Sequence, residues 1–352
     1  MTGHLSTLDK ERAVRAAWKR EAGQPIPFFV EFGDMLKATE ELYNDPEREM
    51  ILEERYLHQA DEVPDFGIGS LKPNMGIGIV AMLLGCPYRL DPKTDPWIGP
   101  VLDENSRERI ARLRVPNMRE AELVAMALKK IDCFASKSSR PIRFVNIPSP
   151  LVTASLLWEY GSFVASMLLY PEDVHRVLEI VTEATLAFVK AIRPSIPRFF
   201  GYTHESVLIP EDFGIRLSDD VAAVLTADLY REFGVRYNNR ISDQFGGIVI
   251  HSCGNIGNAL PAMLETRGLL GLDIVAPQND LSRIEELTSG KTALSLRFFD
   301  WDFPFGTTPD LAEYAEMLAR RFGPTGLILW SHVQEAADAV LLAERISTIL
   351  DT

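Results

Sequence analysis

The chain has 352 residues, 36 of them Lys or Arg and 50 Asp or Glu, for a formal net charge of −14. That balance argues against nucleic acid as a main partner and disfavours polyanionic substrates, because the field of the whole protein repels them. The 46% hydrophobic content is ordinary for a globular chain, and no apolar run approaches the ~18–20 residues of a membrane span.

From Met1 to Arg20 there is no continuous apolar core, and acids interrupt the basic residues. This reads as a helical extension over residues 1–22, not a secretory signal, with Lys10, Arg12, Arg15, Lys19 and Arg20 on a solvated face. Short apolar runs then predict strands at Ile26–Glu31, Asp65–Ile68, Ile142–Ile147, Glu205–Ile209, Gly247–His251, Leu272–Ala276, Ala293–Arg297 and Gly326–Trp330. Residues 72–114 are rich in Pro, Gly and Asp and are expected to be a loop excursion at one mouth of the fold. Between Tyr170 and Arg193, Val174, Val177, Leu178, Val181 and Phe188 recur at helical spacing, with Pro171 at the start and Pro194 after the end. Glu335–Leu350 reads as another amphipathic helix.

Eight strands alternating with helices predict an α/β fold, a (β/α)8 TIM barrel forming a single domain over 1–352. A doubly wound sheet is disfavoured, because no G-x-G-x-x-G turn follows the first strand. In such barrels chemistry collects at the C-terminal strand ends. The polar residues expected there include Glu31, Asp34, Asn146, His204, Glu205, Asp212, His251, Cys253, Asp300, Ser331 and His332.

His251-Ser252-Cys253-Gly254-Asn255 follows the apolar run Gly247-Ile248-Val249-Ile250. Side chains alternate along a strand, so His251 and Cys253 share a face and can grip one ion, most naturally Zn²⁺. The competing reading is a half-buried His beside an inert Cys. His332 falls at the same face and is a candidate third ligand, or else a hydrogen-bonding pocket residue without metal. Glu205, Asp212 and Asp300 are candidate acidic ligands or general acid/base groups, with a loop-tying carboxylate as the alternative for Asp212. Phe298, Phe299, Trp301, Phe303 and Phe305 either line an aromatic pocket or pack a loop. His58 and His175 lie in helical segments and are expected on the surface, as is His4. The three cysteines, Cys86, Cys133 and Cys253, show no pairing pattern, as expected of a reduced, cytoplasmic protein.

Several of these segments resemble the uroporphyrinogen decarboxylase superfamily. They are Asn146-Ile147-Pro148-Ser149-Pro150 through Ser155, Tyr170 through Lys190, Glu211-Asp212-Phe213-Gly214 with Leu229-Tyr230-Arg231-Glu232-Phe233, and above all His251-Ser252-Cys253-Gly254-Asn255. The resemblance runs from about residue 20 to the C-terminus and implies the same (β/α)8 barrel. One branch, the cobamide-dependent methyltransferases, carries His-x-Cys and a later Cys on a catalytic zinc. The other, the decarboxylases, uses no metal and carries an arginine-rich loop after the first strand. This chain has His251-x-Cys253 but no cysteine after it, and Phe32–Leu36 holds no arginine. Ser331-His332-Val333 stands where the decarboxylases have Gly-His-Gly.

The resemblance therefore implies a zinc-dependent methyltransferase. It would move a methyl group between a small substrate, a methyl ether or methylated thiol, and a corrinoid (cobamide). The corrinoid would come on a partner protein, because the chain lacks the Asp-x-His-x-x-Gly motif of corrinoid modules. Zinc is expected on His251, Cys253 and His332, catalytic roles on Asp212, Glu205 and His332, and cofactor contacts on Asn255, His204 and Ser331. The alternatives are a uroporphyrinogen-decarboxylase-like carboxy-lyase in porphyrin metabolism and a non-catalytic barrel that binds a tetrapyrrole or metal. Expected partners are the small substrate, the corrinoid protein and, as an option, a second copy of the chain, with no nucleic acid or membrane.

Overall fold

The computed structural model describes residues 5–34, 37–143, 147–196, 199–203 and 207–350. Its strands, in chain order, are β1 (Phe28–Phe32), β2 (Tyr88–Arg89), β3 (Trp97–Ile98), β4 (Ile142–Arg143), β5 (Phe199–Thr203) and β6 (Val207–Ile209), then β7 (Ile215–Ser218), β8 (Ile248–Ser252), β9 (Leu269–Val275), β10 (Ala293–Arg297) and β11 (Leu327–Val333). Six of them form one curled parallel sheet in the order β1-β11-β10-β9-β8-β7. β1, β8 and β11 are almost wholly apolar up to their last residues, as parallel strands covered on both faces require.

The sheet does not close into a hydrogen-bonded barrel among the described residues. Between its edges, β7 and β1, the chain makes isolated parallel bridges, Pro148 with Ser218 and Leu71 with Ile142. Proline cannot donate to a ladder and glycine weakens one. Pro64, Gly67, Gly69, Pro73, Pro141 and Pro148 stand in this arc. The edge of β1 is met by Phe66, whose N–H donates to Phe28 O at 3.1 Å, and by Asp65, whose Oδ2 accepts from Val30 N–H at 2.9 Å.

Several strand expectations change. Asp65–Ile68 forms no strand and meets β1 only through the two bonds just given, and of Ile142–Ile147 only Ile142–Arg143 is strand among the described residues. Val207–Ile209 is the return strand of a hairpin, antiparallel to β5. The sheet strand that follows is β7, which the sequence hides because Arg216 and Ser218 break its apolar run.

Helix α1 (Thr7–Lys19) is capped by Ser6, whose Oγ accepts from Asp9 N–H at 3.2 Å. It packs across the N-terminal ends of the strands. The buried Trp18 donates its indole N–H to Leu208 O at 2.7 Å and lies against Gly271, where a Cβ would come within 2.3 Å of the ring. Three of its basic residues are tethers, while Arg12 and Lys19 stay on an exposed face. Lys10 Nζ donates to Gly67 O at 3.0 Å, Arg15 pairs with Asp212, and Arg20 bonds Gly290 O. The helix Pro171–Ile192 buries its predicted stripe. Residues 72–114 contain the helices Ile79–Leu83 and Arg107–Arg112 and the β2–β3 hairpin. Beneath them lies a wholly buried ion pair. Lys130 Nζ sits 2.6 Å from Glu49 and also donates to Asn74 O at 2.7 Å and Leu42 O at 3.3 Å. Among the described residues no helix is long and apolar enough to cross a membrane.

Candidate metal centre

His251 is the fourth residue of β8 and lies in register with Asp273 of β9. Both are buried. Nδ1 of His251 is 2.7 Å from Asp273 Oδ2, and Nε2 is 3.1 Å from Cys253 Sγ. Burial, reinforced by the guanidinium groups of Arg216 and Arg297, holds the imidazole pKa well below its ordinary value. The ring is therefore neutral. A carboxylate can only accept, so Nδ1–H donates to Asp273 and the Nε2 lone pair faces the thiol. Burial pushes the pKa of Asp273 up to about 6, against the pull of Arg216 and Arg297.

Cys253 stands two residues on, where the strand has ended. Its N–H donates to Asp220 Oδ1 at 2.7 Å. Burial of the sulfur and the charge of Asp220 push the thiol pKa up, while Arg297 and Arg216 pull it down. Arg297, at the end of β10, places Nη1 3.8 Å from Cys253 Sγ. It is held by two bonds to Asp302, at 3.0 and 2.8 Å, and lies over the Phe299 ring at 4.8 Å.

One donor atom each from Asp220, His251 and Cys253 lies within 4.8 Å of the others. Tetrahedral zinc with bonds of about 2.0–2.3 Å holds its donors about 3.5 Å apart, so small side-chain shifts bring this trio to ligand spacing. Nitrogen, sulfur and oxygen donors suit zinc, and a carboxylate behind the histidine is the usual support of such a ligand. The residues fit the ion.

The remaining site residues predicted from sequence divide clearly. His332 is not in the cluster. Its Nε2 lies 2.8 Å from Gly33 O, so Nε2 carries the proton and Nδ1 is left as an acceptor with no hydrogen-bond partner among the described residues. The ring packs at 4.5 Å from Trp301 and lines a cavity of about 520 Å³ with Glu31, Glu53, Tyr56 and Arg143. Asp212 is a loop tie at the wrong end. It precedes β7, opposite the end that bears His251, and binds Arg15 Nη1 with its oxygens at 2.6 and 2.7 Å. Ser331 is buried and donates to Phe298 O at 3.2 Å. Asn255 folds its own loop, accepting from Gly257 N–H at 2.9 Å. Asn146, His204 and Glu205 lie outside the described residues. The aromatic group splits, with Phe298 and Phe299 in the core and Trp301 and Phe305 exposed. His175 is half-buried and partnered, not a free surface residue. It is stacked on Phe233 at 4.7 Å and bonds Tyr237 and Glu232.

Sequence reasoning passed over Asp220, Asp273 and Arg297. A usable signal existed for each: the Asp219-Asp220 doublet, and single charged residues inside or ending the apolar strands Leu269–Val275 and Ala293–Arg297.

Residues 53–196 match the family model for uroporphyrinogen decarboxylase (URO-D). No curated protein matches the chain in sequence. Among solved structures, a methyltransferase from Methanosarcina mazei superposes with a TM-score of 0.66 at 16% identity, covering 97% of this chain and 98% of that one. A second, described as a vitamin-B12-independent methionine synthase from Listeria monocytogenes, has a TM-score of 0.50 at 12% identity, covering 94% of this chain and 98% of its own. At these identities the likeness is one of fold.

Proposed function

From the match over residues 53–196 we propose that the chain belongs to the uroporphyrinogen decarboxylase superfamily and acts as a zinc-dependent methyltransferase. It moves a methyl group between a small substrate, a methyl ether or methylated thiol, and a corrinoid carried by a partner protein. The observation that carries the reading is the convergence of Asp220, His251 and Cys253, with Asp273 behind the histidine. The fold shared with the Methanosarcina methyltransferase supports it.

Asp220, His251 and Cys253 would hold the zinc, with His332 left in the pocket as a hydrogen-bond acceptor. When bound, zinc supplies Lewis acidity, stabilising a substrate thiolate at neutral pH or polarising an ether oxygen. The protein's own groups do the rest. Asp273 keeps the proton on Nδ1 of His251, so that Nε2 stays available. Arg297 places positive charge beside Cys253 and favours its thiolate, and Asp302 and Phe299 keep that charge in place. Around the cavity at His332, Glu31, Asp34, Glu53 and Glu335 outnumber Arg55 and Arg143. That lining is poorly suited to a porphyrinogen, whose several carboxylates need cationic partners. We read the parallel sheet and its bridged arc as one (β/α)8 barrel domain working in the cytoplasm, with the corrinoid protein docking over the C-terminal strand ends.

Metal analysis of protein purified without chelator should find about one zinc per chain. Mixing the protein with cob(I)alamin and methoxylated aromatics or methylated thiols should generate the methylcobalamin spectrum. A folded protein free of metal would refute the proposal.

A further inference from the structure

Three side chains converge on Asp219, a carboxylate buried just beyond β7. Ser149 Oγ donates to its Oδ1 at 2.8 Å, Tyr230 OH to its Oδ2 at 2.6 Å, and Asn238 Nδ2 to Oδ2 at 3.3 Å and to Tyr230 OH at 3.0 Å. The backbone of Asp219 is fixed as well. Its N–H donates to His251 O at 2.7 Å, and its carbonyl accepts from Ala222 N–H at 3.2 Å. Ser149 at the same time caps the helix Pro150–Leu157, accepting from Val152 N–H at 3.1 Å. A fully buried carboxylate is tolerated only when donors surround it, and this one has three.

Tyr230 and Asn238 are eight residues apart. On a regular α-helix eight residues turn through about 800°, which leaves two side chains about 80° out of line. The segment between them, Arg231–Val235, is a π-helical turn. Such a turn inserts one extra residue, which cancels about 100° and brings the two onto one face, about 20° apart. Gly234 lies inside it. A Cβ there would come within 2.9 Å of the Tyr230 ring, so the turn has no room for a side chain without moving the tyrosine.

Asp220 is the next residue in the chain. It opens the short turn Asp220–Val224 and aims its carboxylate at Cys253 N–H, 2.7 Å away. We infer that Asp219, clamped by Ser149, Tyr230 and Asn238, is a positioning residue that holds Asp220 in reach of His251 and Cys253. The π-turn exists to align the clamp. This inference rests on the zinc reading above and adds to it a support on the side of His251 opposite Asp273's strand. Releasing Asp219 frees the turn, and the oxygen donor leaves the other two.

Cobalt(II) titration of metal-free protein tests this directly, because its spectrum separates the donors. The thiolate charge-transfer band reports Cys253, and the d–d intensity reports the number and geometry of ligands. Tyr230→Phe, Gly234→Ala and Asp219→Asn should each weaken cobalt affinity roughly 10–100-fold, the usual effect of losing an outer support. Their d–d intensity should change while the thiolate band persists. Lys130→Met, destabilised at a remote site, should keep the wild-type affinity and spectrum. Should Asp219→Asn fail to fold, Tyr230→Phe and Gly234→Ala decide. Wild-type protein that binds cobalt, with Tyr230→Phe and Gly234→Ala binding within about twofold of it and unchanged in spectrum, would overturn the positioning role and leave the zinc reading standing. Folded wild type with no cobalt affinity would overturn both.

Discussion

Asp65 offers a measurable test of how the edge of the sheet is finished. Its Oδ2 accepts from Val30 N–H at 2.9 Å and its Oδ1 from Gly67 N–H at 2.7 Å, so the carboxylate stands where a neighbouring strand would be. Burial outweighs these bonds and the nearby charge of Lys10, raising its pKa from the ordinary 3.8 to about 6. The unfolded chain thus ionises this group about two pH units earlier than the folded one, and each unit is worth about 1.4 kcal/mol. Between those values the folded state binds more protons. The stability linked to Asp65 is fully present below the unfolded pKa and falls by about 3 kcal/mol as pH rises through the folded one. Asp65→Asn cannot titrate. It loses one backbone bond at every pH, because its amide N–H2 faces a donor, at a cost of about 1–3 kcal/mol. Urea unfolding of both proteins at about pH 4 and about pH 8 cancels the other acids. The variant should be the less stable protein at acid pH, and the difference should move by about 2.5 kcal/mol in its favour at alkaline pH. A difference constant to within about 0.5 kcal/mol would show that Asp65 is not held in an ionisation-averse site.

Asp220→Ala should lower zinc affinity at least about tenfold, whereas His332→Ala should leave it within about twofold, measured by competition with a chromophoric chelator. The reverse ranking would restore His332 as the ligand. Lys130→Met strands a buried carboxylate and should cost about 3–5 kcal/mol in chemical denaturation, with much of the loss recovered by adding Glu49→Leu. A loss under about 1 kcal/mol would mean that Glu49 is neutral with or without its partner.

The pair His251 and Cys253 was legible because strand alternation is local and needs no knowledge of neighbours. Asp273 was not. It is a single acid in an apolar strand, and its value comes from being in register with His251, 22 residues away, across a parallel ladder. The misplacement of Asp212 has a definite cause. Reading Glu205–Ile209 as a sheet strand puts Asp212 just past a C-terminal end. The sheet strand begins only at Ile215, so the same residue sits before an N-terminal end, where Arg15 takes it. His332 was rightly assigned to the strand end, but the sequence gives no sign that Gly33 O, almost 300 positions earlier, would claim its Nε2. The helix Pro171–Ile192 was legible throughout, because its apolar stripe and its prolines are written in consecutive residues.

The pairing of β1 with β11 also bears on how the molecule is made. Phe28 lies in register with Leu329, and the same ladder runs from Phe29–Trp330 to Phe32–Val333. β1 therefore leaves the ribosome about 300 residues before its ladder partner, an interval of about 15–60 s at ordinary rates of synthesis. Throughout that time an apolar edge stands without its partner strand, and for much of it Trp18, just ahead of that edge, still waits for Leu208 and then Gly271. Completion of the sheet waits on β11, so the edge of β1 stays unpaired for longer the more slowly the residues between the two strands are translated.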